Sequence, residues 1–86
     1  MNRKRLSRKK AIYTSGLSDT TVLVNYDEKE KILEVEFTGG RVYHYLHVSP
    51  RLWQEYKDTL QRGDSSGKFV NTRIKPFYKY AEITDA

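Results

Sequence analysis

The residue types in this sequence that could do chemistry are cationic and aromatic side chains, concentrated towards its two ends. Six positive charges lie within residues 3–10, before the first acidic residue. Further cations are interleaved with aromatic residues between positions 68 and 80. Because cations hold a phosphate backbone and aromatic rings stack on bases, this mixture predicts nucleic-acid binding.

The predicted nucleic-acid-binding residues form two sets. The cations of the N-terminal arm are Arg3, Lys4, Arg5, Arg8, Lys9 and Lys10. The basic and aromatic C-terminal surface comprises Lys68, Arg73, Lys75, Tyr78 and Lys79. Subtracting the six arm charges from the net charge of +5 leaves −1 for the remaining residues. The surplus charge therefore belongs to the arm, and a solvated tail that only aids solubility is the alternative interpretation of it.

Metal and cofactor chemistry finds no support in the sequence. The absence of cysteine excludes disulfides and thiolate zinc sites. His44 and His47 are three residues apart on a predicted strand, so they project to opposite faces and are expected to be solvated. We therefore predict no metal and no cofactor.

Catalytic motifs are equally weak. Glu34 and Glu36 share one face of a predicted strand, where we expect an ordinary solvated surface and not a catalytic carboxylate pair. The run 63–68 looks like a phosphate loop, but it is one residue short of the Walker spacing and follows a predicted helix. We predict no catalytic residues and a non-enzymatic protein. A small metal-independent RNase using His44 or His47 stays as the weaker alternative.

The elements that must position these residues begin with three strands. Thr21–Tyr26, Lys31–Thr38 and Arg41–Val48 are rich in β-branched and aromatic residues, and the first two alternate in polarity. Short polar or glycine-containing links join them. The pattern predicts a three-stranded antiparallel meander.

The turn at Gly39 and Gly40 decides which way Tyr43 and Tyr45 point. A two-residue turn leaves both tyrosines outside, where they would form a stacking platform for bases. A three-residue turn with Gly40 in the left-handed region places both under the helix and leaves His44 outside. We favour the second register, since it keeps a histidine out of a small core.

One main helix is predicted over Pro50–Arg62. Ser49 is a suitable N-cap, Pro50 suits the first helical position and Gly63 suits the end. Trp53, with Tyr56 and Leu60 further along, makes an apolar stripe that should cover one face of the meander. A short second helix or turn near Lys68–Arg73 and a C-terminal extended segment complete an α+β fold.

The chain is long enough for one small domain. We expect a basic, flexible arm over residues 1–17, a single domain over 18–83 and a tail over 84–86. No apolar run approaches the roughly 20 residues of a membrane span. A soluble cytoplasmic protein without a membrane partner is therefore expected.

Several short motifs occur together in an order that resembles the KTSC domain family. They are Val24-Asn25-Tyr26-Asp27, then Leu33-x-Val35-x-Phe37-x-x-Gly40-x-x-Tyr43-x-Tyr45, Val48, Ser66-Gly67-x-Phe69-x-Asn71-x-x-Ile74 and Tyr78-x-Tyr80. The resemblance covers residues 18–83 and implies a small domain found at the C-terminus of some lysyl-tRNA synthetases and as a stand-alone protein. The family usually has proline directly after the valine, whereas Ser49 intervenes here.

The resemblance implies a domain associated with RNA but no catalytic residues. Together with the charge pattern it favours an RNA-binding protein. The alternative is a protein–protein interaction module that uses a sheet edge or the acidic hairpin of residues 27–36.

Overall fold

The computed structural model describes residues 4–14 and 20–83. Its five strands are β1 (Ile12–Tyr13), β2 (Thr21–Asp27), β3 (Ile32–Phe37), β4 (Val42–Tyr45) and β5 (Tyr80–Ile83). Helix α1 spans Pro50–Gln61 and α2 spans Ser66–Phe69, continuing as a π-helical segment over Val70–Ile74. Arg8–Lys10 forms one 3-10 turn.

The α+β class is confirmed, and the predicted meander is present as β2-β3-β4, but the sheet of the described residues has five antiparallel strands in the order β1-β2-β3-β4-β5 where three were predicted. Both additional strands are short edge strands. β1 has only two residues, too few for an alternating pattern. The predicted C-terminal extended segment pairs with β4 and begins at Tyr80, after the turn that follows the π-helical segment.

The register between β3 and β4 follows the three-residue turn. Val35 lies opposite Tyr43, and Leu33 lies opposite Tyr45. Gly40 has a φ of 92°, which a residue with a side chain rarely adopts. Tyr45 is therefore buried and Tyr43 half-buried beneath the helical layer, as this register predicts.

Helix α1 begins and ends where its capping residues predict. The Ser49 hydroxyl accepts a hydrogen bond from the Leu52 N–H at 3.1 Å, and Pro50 occupies the first turn. Gly63, with a φ of 81°, follows the last turn. The buried side chains of α1 are Leu52, Trp53, Tyr56 and Leu60.

The second helical region starts earlier than predicted. The Ser65 hydroxyl accepts a hydrogen bond from the Lys68 N–H, so the helix begins at Ser66, two residues before the predicted Lys68. Val70 and Ile74 are both fully buried. The Lys75 N–H bonds to the Val70 carbonyl at 2.8 Å, the wider turn of a π-helix.

The two faces of the sheet have different covers. The helices pack on the face formed by Val24, Leu33, Val35 and Tyr45, which we call the helical face. Alternation along the strands places Leu23, Glu34 and His44 on the opposite face, which we call the outer face. Within residues 4–14 and 20–83, no helix is long and apolar enough to cross a membrane.

Candidate nucleic-acid interface

The N-terminal segment of residues 4–11 contacts the outer face through hydrogen bonds and ion pairs. The Arg5 guanidinium reaches Glu34 at 3.3 Å and Glu36 at 3.0 Å. The Leu6 N–H donates to Glu34 Oε2 at 2.9 Å, and the Asn25 side-chain amide donates to the Ser7 carbonyl at 2.8 Å. The flexible arm predicted from the sequence spans residues 1–17, of which 1–3 and 15–17 lie outside the described residues. The described part is held on the sheet, and the physical cause is the carboxylate pair on β3.

Glu34 is the centre of this contact. Its side chain is 0% exposed, and its Oε2 atom lies 2.8 Å from His44 Nε2. Burial raises the pKa of Glu34, but hydrogen bonds from His44 and Leu6, together with the Arg5 cation, hold it below its ordinary value. Glu34 is therefore an ionised, fully partnered carboxylate inside the protein.

Two sequence-based expectations are wrong here. The face that carries Glu34 is covered, not solvated, since the N-terminal segment packs on it. His44 was expected to be solvated, but it is only 1% exposed because it faces Glu34 beneath that cover. His44 cannot reach an RNA phosphate from this position, which removes it from the RNase alternative.

The arm cations consequently divide into two kinds. Arg5 is part-buried and neutralised by Glu34 and Glu36. Lys4, Arg8, Lys9 and Lys10 are exposed. Arg3 lies outside the described residues.

Two of the exposed arm cations line a groove that we call the basic groove. Its volume is about 580 Å³, and it lies between the N-terminal segment, the end of β2 and α1. Its cations are Lys9, Lys10, Lys29 and Lys57, and its acids are Asp27 and Glu28. In the described part of the chain, none of the four lysines is within ion-pair distance of a carboxylate.

The aromatic wall of the basic groove is formed by Tyr26 and Trp53. Their rings stack with centroids 5.5 Å apart, and the Tyr26 hydroxyl donates to the Val48 carbonyl at 2.5 Å. Lys57 Nζ lies 5.7 Å from the Trp53 ring centroid and covers it. Because both rings are already in contact with other groups, the groove offers a ligand cations and few free stacking surfaces.

The C-terminal set is only partly available to a ligand. Arg73 is paired with Glu55 at 2.6 Å and lies over the Phe69 ring. Tyr78 is half-buried against the core. Lys68, Lys75 and Lys79 are exposed. Among the described residues these three lysines form no ion pair, and Lys75 lines a cavity.

That cavity, which we call the tyrosine pocket, lies on the helical face beside β4 and β5. It has a volume of about 240 Å³ and is lined by Tyr43, Tyr45, Lys75 and Tyr80. The Tyr43 and Tyr80 rings meet edge to face at 5.1 Å. Burial, with the neighbouring Tyr43 and Tyr80, raises the pKa of Tyr45 to about 12, so its hydroxyl is neutral near pH 7.

Sequence reasoning missed Lys29, Lys57 and Tyr80 as candidate ligand contacts. Lys57 stands four residues after Trp53, a spacing that brings two side chains together on a helix. In the sequence, Tyr80 stands out only as part of the Tyr78-x-Tyr80 motif. No local sequence pattern predicts that Lys29 and Lys9 line the same groove, because their proximity depends on where the N-terminal segment packs on the sheet.

Comparison with known proteins identifies the domain. The model of the KTSC domain matches residues 19–80. The chain belongs to the KTSC domain family. A crystal structure of a KTSC domain protein from Yersinia pestis has a TM-score of 0.67 and 28% identity, covering 78% of this chain and 89% of that one.

Relatives of this KTSC domain include proteins of different length. A protein of Tsukamurella paurometabola is 41% identical over 63% of this chain and 75% of its own length. A protein of Stutzerimonas stutzeri is 39% identical over 70% and 80% of the two chains. A lysine–tRNA ligase of Nostoc punctiforme is 32% identical over 70% of this chain, and the match spans 10% of the ligase.

Proposed function

We propose that this KTSC domain binds RNA through its phosphate backbone, with the basic groove as the main contact. The observation that carries the proposal is the convergence of Lys9 and Lys10 with Lys57 around one groove. These lysines are distant in sequence and come from the N-terminal segment and from α1. Asp27 and Glu28 also line the groove, but none of its lysines forms an ion pair with them, and four lysines against two acids leave a net positive charge that attracts a polyanion.

The docked N-terminal segment supports the proposal. Arg5, Leu6 and Ser7 hold the segment to the sheet, so Lys9 and Lys10 follow an anchored piece of chain. Cations in a fixed position lose less conformational entropy on binding than cations on a free tail. The groove therefore needs fewer charges for a given affinity.

The preference for RNA over other polyanions rests on one of the relatives of this chain. The relative from Nostoc punctiforme is a lysine–tRNA ligase, a protein whose name states that it acts on tRNA. We carry this association to the present chain as part of the proposal. The free lysines of the C-terminal set, Lys68, Lys75 and Lys79, are proposed as secondary contacts.

Fluorescence anisotropy of a labelled single-stranded RNA, measured over a series of salt concentrations, tests this proposal. Each lysine–phosphate contact contributes roughly −0.7 to the slope of log affinity against log salt. The double variant Lys9→Ala/Lys10→Ala should therefore bind more weakly and reduce the magnitude of the slope by about 1.4.

The matched control removes the same charge elsewhere. Arg51 and Arg62 are exposed and do not line the basic groove. Arg51→Ala/Arg62→Ala should retain most of the affinity. Equal losses of RNA affinity in the two double variants would show that only the net charge matters, which would contradict a specific role of the basic groove. Absence of salt-dependent binding by the wild-type protein would contradict the proposal as a whole.

A protein-interaction role is the second candidate, and one observation favours it. β5 is an edge strand whose outer backbone groups are open to another strand among the described residues. The acidic hairpin contributes less than expected, since Glu34 is buried and Glu36 is paired with Arg5. Sedimentation of the protein alone tests this candidate, and a concentration-dependent increase in mass would support it.

A further inference from the structure

The tyrosine pocket is a second candidate binding site, separate from the basic groove, because it combines an exposed aromatic ring with a lysine. Tyr80 is 62% exposed at the start of β5, although it is a large aromatic residue beside a packed core. Its ring lies 5.1 Å from Tyr43 and 6.0 Å from Tyr45, centroid to centroid. The three rings together wall a cavity that opens to solvent.

Core packing accounts for two of these rings but not for the third. Tyr45 is part of the buried cluster on the helical face, and Tyr43 packs against that cluster. Tyr80 contributes little buried area, since most of its surface faces water. The exposed part of its ring is therefore available to a ligand.

One cation lines the same cavity, and a second, Arg41, lies next to one of its tyrosines. Lys75 lines it, and Lys75 Nζ lies 5.2 Å from the Phe37 ring centroid, with no carboxylate within ion-pair distance in the described ranges. Arg41 interacts with the Tyr43 hydroxyl, which together with Glu82 raises the pKa of the Arg41 guanidinium. Aromatic rings with the lysine Lys75 beside them match a flat base attached to a phosphate.

We infer that the tyrosine pocket is a base-stacking site, in which Tyr80 stacks on one unpaired nucleobase while Lys75 contacts the adjoining phosphate. This inference rests on the proposed function and deepens it by naming the class of RNA. In a duplex the faces of each base are covered by its neighbours, whereas an unpaired base can leave its stack. The ligand is therefore single-stranded RNA or a loop and not a continuous duplex.

The test separates the contribution of the bases to the binding affinity from that of the phosphate backbone. A short single-stranded oligoribonucleotide is compared with an oligomer of the same length whose bases have been removed, by anisotropy at one salt concentration. Base–aromatic stacking contributes enough to make the base-bearing oligomer bind about fivefold more tightly or better to the wild-type protein. The variant Tyr80→Ala should abolish this difference while it leaves the abasic affinity unchanged.

The chain offers a matched control for this variant. Tyr13 is 67% exposed, is also an edge-strand tyrosine, and lies in β1, at the opposite end of the sheet. Tyr13→Ala should retain the preference for the base-bearing oligomer. Because both tyrosines are exposed, neither substitution should unfold the protein, which a thermal melt will check.

The outcomes distinguish this inference from the function on which it rests. If neither oligomer binds the wild-type protein, the proposed function itself fails. If both bind with equal affinity, or if Tyr80→Ala keeps the preference, RNA binding stands and the stacking site is refuted. Binding of a duplex as tightly as the single strand would also overturn it.

Discussion

The two faces of the sheet are covered by different kinds of interaction. The helical face is closed by apolar and aromatic side chains that include Leu33, Val35 and Tyr56. The outer face is closed by a chain segment whose hydrogen bonds and ion pairs converge on the carboxylate of Glu34. One face thus depends on removal of apolar area from water, and the other on charge and hydrogen bonding.

This difference predicts how pH, salt and single substitutions should affect the stability of each face. Burial of apolar surface responds little to pH or salt, so the helical face should be stable across both. A carboxylate that is fully buried needs every partner, because an unpaired buried charge is costly. The outer face should therefore be the part that changes with pH and with single polar substitutions.

The largest expected effect is on the helical face. Leu33 is fully buried there, and Leu33→Ala removes methyl groups from a packed cluster and leaves a cavity. We expect the free energy of unfolding to fall by about 2–5 kcal/mol, measured by urea denaturation. The loss should be the same at low and high salt, and a strong dependence on salt would contradict the proposed division between the faces.

The second largest effect is expected on the outer face, where a substitution removes the central carboxylate. Glu34→Gln keeps the shape of the side chain but removes the charge that Arg5, Leu6 and His44 contact. We expect a loss of about 1–3 kcal/mol in urea denaturation. Glu30→Gln, at an exposed position of the same hairpin, is the control and should be nearly neutral. Equal values for the two variants would show that the buried carboxylate has no special role.

The third prediction concerns how the stability contributed by Glu34 depends on pH. The pKa of Glu34 is lower in the folded protein than its ordinary value of 4.5, so its contribution to stability is complete above that value. It is lost as the pH falls below 4.5 through the folded pKa, because protonation then becomes coupled to unfolding. The difference in stability between wild type and Glu34→Gln should therefore narrow in acid, and a difference that stays constant would refute this.

The smallest effect concerns the ion pair of Arg73 with Glu55. The pair is short, at 2.6 Å, but both side chains are about half exposed, so water screens the attraction. A double-mutant cycle with Arg73→Ala and Glu55→Ala should give a coupling energy of about 0–1 kcal/mol. A coupling energy as large as the effect of Glu34→Gln would remove the contrast between exposed and buried pairs.

The helical face could be predicted from the sequence because its signals are local. Ser49, Pro50 and Gly63 mark the ends of α1, and the glycine turn gives the register that buries Tyr45. Each of these features depends on residues a few positions apart. Hydrophobic periodicity and turn geometry operate over that same range.

The outer face could not be predicted in the same way because its contacts join distant residues. Arg5 meets Glu34 across 29 positions, and no periodicity links them. Glu34 alternates with apolar residues as a solvated carboxylate would. The pattern therefore indicates which face Glu34 is on, but not that the N-terminal segment covers that face. The basic groove shares this origin, since Lys9 and Lys10 reach it only through the docked segment.

The position of Glu34 also imposes an order on folding during synthesis. Residues 5–7 are translated before β3 and β4, yet their anchoring carboxylate and its histidine partner lie in those later strands. The N-terminal segment must therefore wait, unattached, until most of the meander has left the ribosome. Its closure onto the sheet is therefore a late event, and until then the carboxylate of Glu34 lacks the Arg5 and Leu6 partners that it has in the folded protein.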